Sequence, residues 1–461
     1  MFSPKLVRAL GTCALCVPLA AAAATDADLT EIRDQIRQMK ESYEARIRAL
    51  EDRLKAAEAA AAPSAGAVPA AEPPAPSSAS SYAASTLSAF NPGIAVVLQG
   101  NYQYLKQDPA LYGFNNVQIG EDVTPGRRGL GLAESEITLF ANVDHLFAGS
   151  LTVSLAPDNS VEVEEAYGLV TALPYGLVPK FGRFFSGVGY MNEQHQHAWD
   201  FQDAPLPYQA FFGGQFTQDG AQLKWVAPTD LLLEFGAEIG NGDAFPGSPR
   251  NSNSAGAWSA FMHAGGDVGA SSSWRAGVSY LETRAVDRVG KLPDTDGNIA
   301  QTSFGGTTHT TIVDFIWKYA PDGNATRTNF KLQGEYFWQR ASGDLTYDSD
   351  GSLGRTNTDT YSANQSGWYL QGVWQFMPMW RVGLRYDRLN QGSPDYGDNA
   401  PFLATSAFSP QRTTVMLDWT PSEFSRIRLQ YAQNKERPDF TDNQFFLQYI
   451  LTLGAHGAHK F

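Results

Sequence analysis

Cysteine is almost absent from this chain: there are two in 461 residues, Cys13 and Cys16. Both fall in residues 1–24, where Lys5 and Arg8 precede an apolar stretch and Ala22, Ala23 and Ala24 offer a small-residue cleavage site. That is the composition of a secretory signal peptide. The mature chain then has no thiol, which excludes disulfides and thiolate metal sites. Long apolar runs are also missing after residue 24, so no helical membrane span is expected. No serine-centred glycine elbow, paired-acid arrangement or phosphate loop stands out, and the chain is not expected to be an enzyme. Basic residues are in the minority. Removing Lys5 and Arg8 from the 34 leaves 32 against 48 acids, a formal charge of −16. This argues against a nucleic-acid partner.

What the chain does have is alternation. The stretch 366–390 shows the unit. Trp368, Leu370, Gly372, Trp374 and Phe376 alternate with Tyr369, Gln371, Val373 and Gln375. After a turn at Pro378, Val382, Leu384 and Tyr386 alternate with Arg381, Gly383, Arg385 and Asp387. Period two on both arms means a β-hairpin with one apolar and one polar face. A soluble protein would need a second sheet to cover each apolar face. A closed barrel in lipid does not.

Residues 25–62 carry a different period. Leu29, Ile32, Ile36, Met39 and Tyr43 are spaced 3-4-3-4, and Ile47, Leu50, Leu54 and Ala57 continue after a stutter. The flanks are charged, as in a coiled coil joining several chains. Residues 63–90, with Pro63, Pro69, Pro73, Pro74 and Pro76 among Ala and Ser, read as a semi-extended linker.

Residues 91–461 predict sixteen strands: 94–105, 129–144, 147–156, 161–171, 179–186, 219–227, 231–240, 257–265, 271–284, 309–320, 326–340, 366–377, 380–389, 412–420, 424–434 and 443–461. Short turns alternate with mostly long loops, including 107–128, 187–218, 241–256, 285–308, 341–365 and 390–411. That asymmetry is the mark of an all-β, sixteen-stranded antiparallel transmembrane β-barrel of the outer membrane, with short turns in the periplasm. Four short turns share a tryptophan followed by a proline: Trp225 and Pro228, Trp317 and Pro321, Trp374 and Pro378, Trp419 and Pro421. They read as the periplasmic aromatic girdle. An even strand count returns both barrel ends to the periplasm, beside the coil.

The loop 186–215, third on the long-loop side, is placed to fold inward and narrow the barrel. It carries Glu193, Asp200 and Asp203. Predicted lumen positions on the wall are basic: Lys180, Lys224, Lys331, Arg381, Arg385, Arg426 and Arg428. Loop acids facing wall bases would set a field across the narrow point. A second acidic group, Glu134, Glu136, Glu162, Glu164 and Glu165, would share one patch of wall and pair with Arg127, Arg128 and Arg183. Glu164 and Glu165 are consecutive, so a bulge is expected to turn both inward. His195 and His197, two apart, would share a face and bind zinc or copper with Glu193 and Asp200. His456 and His459 form another close pair.

Several pieces resemble a family of proteobacterial outer-membrane proteins: FNPGIAVVLQGNY, LGLAESEITLFANVD, VEVEEAYG, GRFFSGVGYMNEQHQHAWDFQDAPL, WVAPTDLLLEFGAE and the terminal GAHGAHKF. Its members are often labelled TonB-dependent or zinc-regulated outer-membrane receptors, and are similar to phosphate-selective porins. The resemblance implies the barrel, and a zinc link borne by His195 and His197. The expected protein is a homotrimeric porin in outer-membrane lipid, passing small hydrophilic solutes or ions without a cofactor. The alternatives are a receptor for a metal ion or metal complex, and an envelope tether anchored by the barrel.

Overall fold

The computed structural model describes residues 93–171 and 173–454. The expected signal peptide, coiled coil and linker, and the terminal His456 and His459, lie outside those residues. The strands are β1 Gly93–Leu105, β2 Ile119–Gly120, β3 Gly129–Leu132, β4 Ser135–Asn142, β5 Phe147–Leu155, β6 Val161–Val170, β7 Leu177–Phe185, β8 Thr217–Val226 and β9 Leu232–Gly240. They continue as β10 Ala257–Val268, β11 Ser272–Pro293, β12 Ile299–Tyr319, β13 Asn329–Tyr347, β14 Asn357–Met377, β15 Trp380–Asn390, β16 Gln411–Ser422, β17 Ser425–Arg437 and β18 Phe440–Gly454.

From β4 onward each strand pairs antiparallel with the next. The last pairs with the first, from Ala95 opposite Gly454 to Leu105 opposite Gln444, which closes the sheet. β3 and β4 both pair with β1 and form one wall strand interrupted at Ala133 and Glu134. β2 is a two-residue piece against Gly290 and Lys291 of β11. The wall is therefore a closed antiparallel barrel of sixteen strands. TonB-dependent receptors have about twenty-two strands, so that label does not describe this barrel.

Alternation sorts the side chains as the pattern requires. Leu370, Trp374, Val382 and Leu384 are exposed on the outer face, while Tyr369, Gln371, Val373 and Arg385 are buried inside. Rings gather at the short-turn rim, where Trp225 stacks on Phe235 and Trp380 on Trp419.

The structure departs from expectation in β11 to β14. These strands run for 19 to 22 residues and absorb most of the predicted loops 285–308 and 341–365. In their outer halves the buried apolar residues are spaced by Gly, Ser, Thr and Asp, so the apolar alternation fades. β-branched and aromatic residues still favour the extended chain there. Inside this extension Leu292, Phe304, Leu345, Tyr347 and Tyr361 pack with Tyr396 and Leu403, which come from the predicted loop 390–411.

Candidate functional site

The connection between β7 and β8 begins and ends together, with Ser186 N–H donating to Phe216 O. Asn192 ties the same two ends, donating to the carbonyls of Ser186 and Phe216 at 2.8 Å each. Within the segment, Leu206–Phe212 is a short helix. Pro205 and Pro207 suit its first turn, and Gly213, at φ 68°, ends it in the left-handed region. All seven of its side chains are buried. Tyr208 packs edge-on against Phe337 of β13, and Phe211 and Phe212 join the same cluster. The segment thus fills the lumen rather than covering the rim.

Two wall carboxylates receive it. Glu238 accepts from Ser186 Oγ at 2.5 Å and Gly187 N–H at 2.8 Å. Glu335 accepts from Tyr190 and Met191 N–H at 3.1 and 3.0 Å, from the Tyr208 hydroxyl at 2.9 Å and from the Tyr369 hydroxyl at 2.6 Å. A Cβ at Gly189 would run into the Glu335 carboxylate. Burial, with the Glu335 carboxyl group beside it, pushes the Tyr208 hydroxyl well above the ordinary tyrosine range.

The loop acids meet the wall bases directly. Asp200 pairs with Lys331 and with Arg381 at 3.3 Å. Asp203 pairs with Arg385 at 3.0 Å and Arg412 at 2.5 Å. Arg381 and Arg428 share Asp418, and Arg385 and Arg412 share Asp387. Arg426 donates to the carbonyls of Trp199 and His197, at 3.3 Å each. Opposite charges thus touch rather than face each other across open space. Burial alone would raise both aspartates, but Lys331 and Arg381 hold Asp200, and Arg385 and Arg412 hold Asp203, below the usual carboxylate range. Glu193 lies apart, paired with Lys224 at 2.6 Å. Lys180 is buried with its ammonium over the rings of Tyr167 and Phe184.

The second acidic group also has other partners than expected. Arg183 makes a bidentate pair with Asp219, on the outward face shared with Phe181. Arg128 donates to the backbone carbonyls of Leu105 and Gln107. The imidazoles reach the acids instead. His195 Nδ1 lies 3.0 Å from Glu164 and 3.4 Å from Glu136, and its Nε2 lies 3.0 Å from Glu165. His197 Nδ1 lies 2.9 Å from the other oxygen of Glu136. The two rings stack at 5.7 Å. Glu193 and Asp200, expected beside the histidines, are bound elsewhere. The register of β5 against β6 slips by one residue at Glu164, so both Glu164 and Glu165 turn inward at this bulge. Glu134 lines a neighbouring cavity, and Glu162 is exposed. Burial pulls the His195 pKa down, but Glu164, Glu165 and Glu136 outweigh it and hold it well above the usual histidine value.

Sequence reading missed Glu335, Glu238 and Arg412. Arg412 was legible by stepping in twos from Thr414, Met416 and Asp418. Glu335 was legible in the same way, two steps of two after Lys331, and Glu238 likewise after Glu234.

Two cavities flank the segment 194–203. One of about 600 Å³, near the short-turn rim, is lined by Asp200, Lys318, Lys331, Arg381 and Arg426 among others. The other, about 280 Å³, is lined by Asp122, Glu134, Trp199, Asp203 and Gln448 among others. A void of about 10 Å³ shares Asp200 with the first, and Trp199 and Asp203 with the second.

Fold and site together define a sixteen-stranded β-barrel whose third long-side connection packs into the lumen through ion pairs. No family model matches the chain. It is 33% identical over 374 residues to an uncharacterized protein of Aquifex aeolicus, across 77% of this chain and 74% of that one, and it belongs to that protein's family. Among solved structures it is similar to a loop-deletion form of OmpT, an outer membrane protein of Vibrio cholerae (12% identity, 79% of this chain and 99% of that one, TM-score 0.47). It is also similar to the outer membrane channel DcaP of Acinetobacter baumannii (15%, 78% and 97%, TM-score 0.46). A third is an anion-selective porin from Comamonas acidovorans (10%, 79% and 99%, TM-score 0.45).

Proposed function

We propose that this protein is an outer-membrane porin, passing small hydrophilic solutes or ions through a lumen narrowed by 186–216. The observation that carries the reading is the pair of cavities on either side of 194–203, with a water-sized void that shares lining residues with both. An apolar outer face with rings at the short-turn rim suits a lipid setting. The working assembly is a homotrimer, with residues 25–62 as its periplasmic coil.

Across the ion-pair network that docks the segment, the fixed charges favour anions. Lys331, Arg381, Arg385, Arg412, Arg426 and Arg428 stand against Asp200, Asp203, Asp387 and Asp418. Fixed charge at a narrow point sets which ion is admitted. The test is planar-bilayer recording of the refolded mature protein in a potassium chloride gradient. Stepwise openings with a reversal potential displaced toward chloride are expected. A silent bilayer overturns open diffusion.

A further inference from the structure

We propose that Glu136, Glu164 and His195 form a binding site for one divalent transition-metal ion at the contact between the lumen segment and the wall, supported by Glu165 and His197. The site stands independently of the porin reading.

The donor atoms are already gathered. One oxygen of Glu136, one of Glu164 and one His195 nitrogen all lie within 4.8 Å of one another. The nitrogen is 3.0 Å from the Glu164 oxygen and 3.4 Å from the Glu136 oxygen. Bonds of about 2.0–2.2 Å in a tetrahedral site put neighbouring donors about 3.3–3.6 Å apart. Small shifts would therefore seat an ion.

A second observation points to a ligand. Glu136 is 1% exposed, and its Oε2, the oxygen facing His195, accepts no hydrogen bond. A buried carboxylate oxygen that faces an imidazole at 3.4 Å without a hydrogen bond is poorly satisfied, and a metal ion replacing the proton on His195 Nδ1 would bind both groups.

The surroundings supply the support that metal ligands require. Glu165 takes the other nitrogen of His195 at 3.0 Å, which fixes the ring with Nδ1 toward the two carboxylates. His197 takes the other oxygen of Glu136 at 2.9 Å, which aims Oε2 at the same point. Such outer partners orient ligands and tune the ion. Four carboxyl groups, with Glu134 hydrogen-bonded to Glu164, face two imidazoles, and Lys180 near Glu165 adds a positive charge. The imidazole nitrogen favours zinc or a similar transition metal over calcium or magnesium, which take oxygen ligands.

The ligands come from three places: Glu136 from β4, Glu164 from the bulge in β6, and His195 from the lumen segment. The ion would therefore pin that segment to the wall.

The test is equilibrium dialysis of zinc chloride against the refolded full mature chain, with calcium chloride in parallel. It is run in a His456→Ala, His459→Ala background so that the terminal pair does not contribute. One zinc per chain is expected, with no competition from calcium. Glu164→Gln and His195→Gln should each weaken binding at least about 100-fold. His197→Gln, which removes only outer support, should weaken it about 10- to 100-fold. Strand content by circular dichroism identifies folded variants. If His195→Gln does not fold, the partly exposed Glu164→Gln carries the test. The absence of stoichiometric zinc at about 100 µM, undiminished binding in Glu164→Gln, or loss of all binding in the terminal background alone overturns the site.

Discussion

Asp203 shows how one side chain of the lumen segment is secured. It pairs with Arg385 and Arg412, and both arginines also pair with Asp387 on the wall. Gln430 adds a hydrogen bond at 2.7 Å. Burial works to raise the Asp203 pKa, but the two arginines outweigh it and the folded value is lowered. The sign follows from linkage. A carboxyl depressed in the folded state contributes its full stability above the unfolded value of about 3.9, and loses it as pH falls through the folded value. Asp200, lowered by Lys331 and Arg381, behaves alike. Acidification from pH 7 to about 4.5 should leave the segment docked, and loss should come below about 4. Asp203→Asn should cost about 2–4 kcal/mol at pH 7, because it leaves two buried arginines with Asp387 as their one shared carboxylate beside backbone carbonyls. That deficit should shrink as pH falls below about 3.9, where the carboxyl of the unfolded chain takes up its proton before the folded one does. Melting temperatures of both proteins at three pH values check this. Parallel acid curves for the two would count against the pairing.

At the scale of elements, the wall and the lumen segment are separable. Phe185 lies opposite Thr217 in the β7–β8 ladder, so a two-residue turn can join them without 186–216. Excision should leave the strand signal in place and raise single-channel conductance several-fold, by removing the plug. It also removes Asp200 and Asp203 while leaving Lys331, Arg381, Arg385 and Arg412 on the wall. Preference for chloride should therefore increase, and an unchanged reversal potential would show that these charges do not border the path. The wall was legible in the sequence because lipid outside and water inside impose period two on every strand. Sixteen strands follow from that pattern alone, and the bulge at Glu164 followed from two adjacent carboxylates. The long arms of β11 to β14 were not legible, since their buried apolar residues, such as Leu292, Phe304, Leu345 and Tyr361, are widely spaced among Gly, Ser, Thr and Asp, which weakens the signal that marks a strand. The site was legible only by residue. Asp200, Asp203, His195 and His197 stood out within one segment, but which wall group each would meet depends on how that segment folds inside the barrel. That is why His195 meets Glu136, Glu164 and Glu165 rather than Glu193 and Asp200.

For the whole molecule, the question is what residues 25–62 add to a barrel that closes by itself. The β1–β18 ladder completes the wall without them. Each lumen contact described above comes from residues after 92. Their seam of Leu29, Ile32, Ile36, Met39 and Tyr43 offers a narrow apolar face that has value only against other helices. In the trimer proposed above, joining the chains through this segment would raise the effective concentration of the barrels for one another. Deleting 26–62 from the mature chain should therefore lower the assembly's mass in detergent from three chains toward one, as read by light scattering. The conductance of each open step should be unchanged, because every lumen side chain named above comes from residues after 92. An envelope tether makes the opposite demand: the deletion would leave the mass of the assembly alone and make the envelope leaky to periplasmic proteins. Measuring assembly mass and step conductance on the same preparation, with periplasmic leakage in the parent strain, separates a coil that gathers barrels from a coil that holds the envelope.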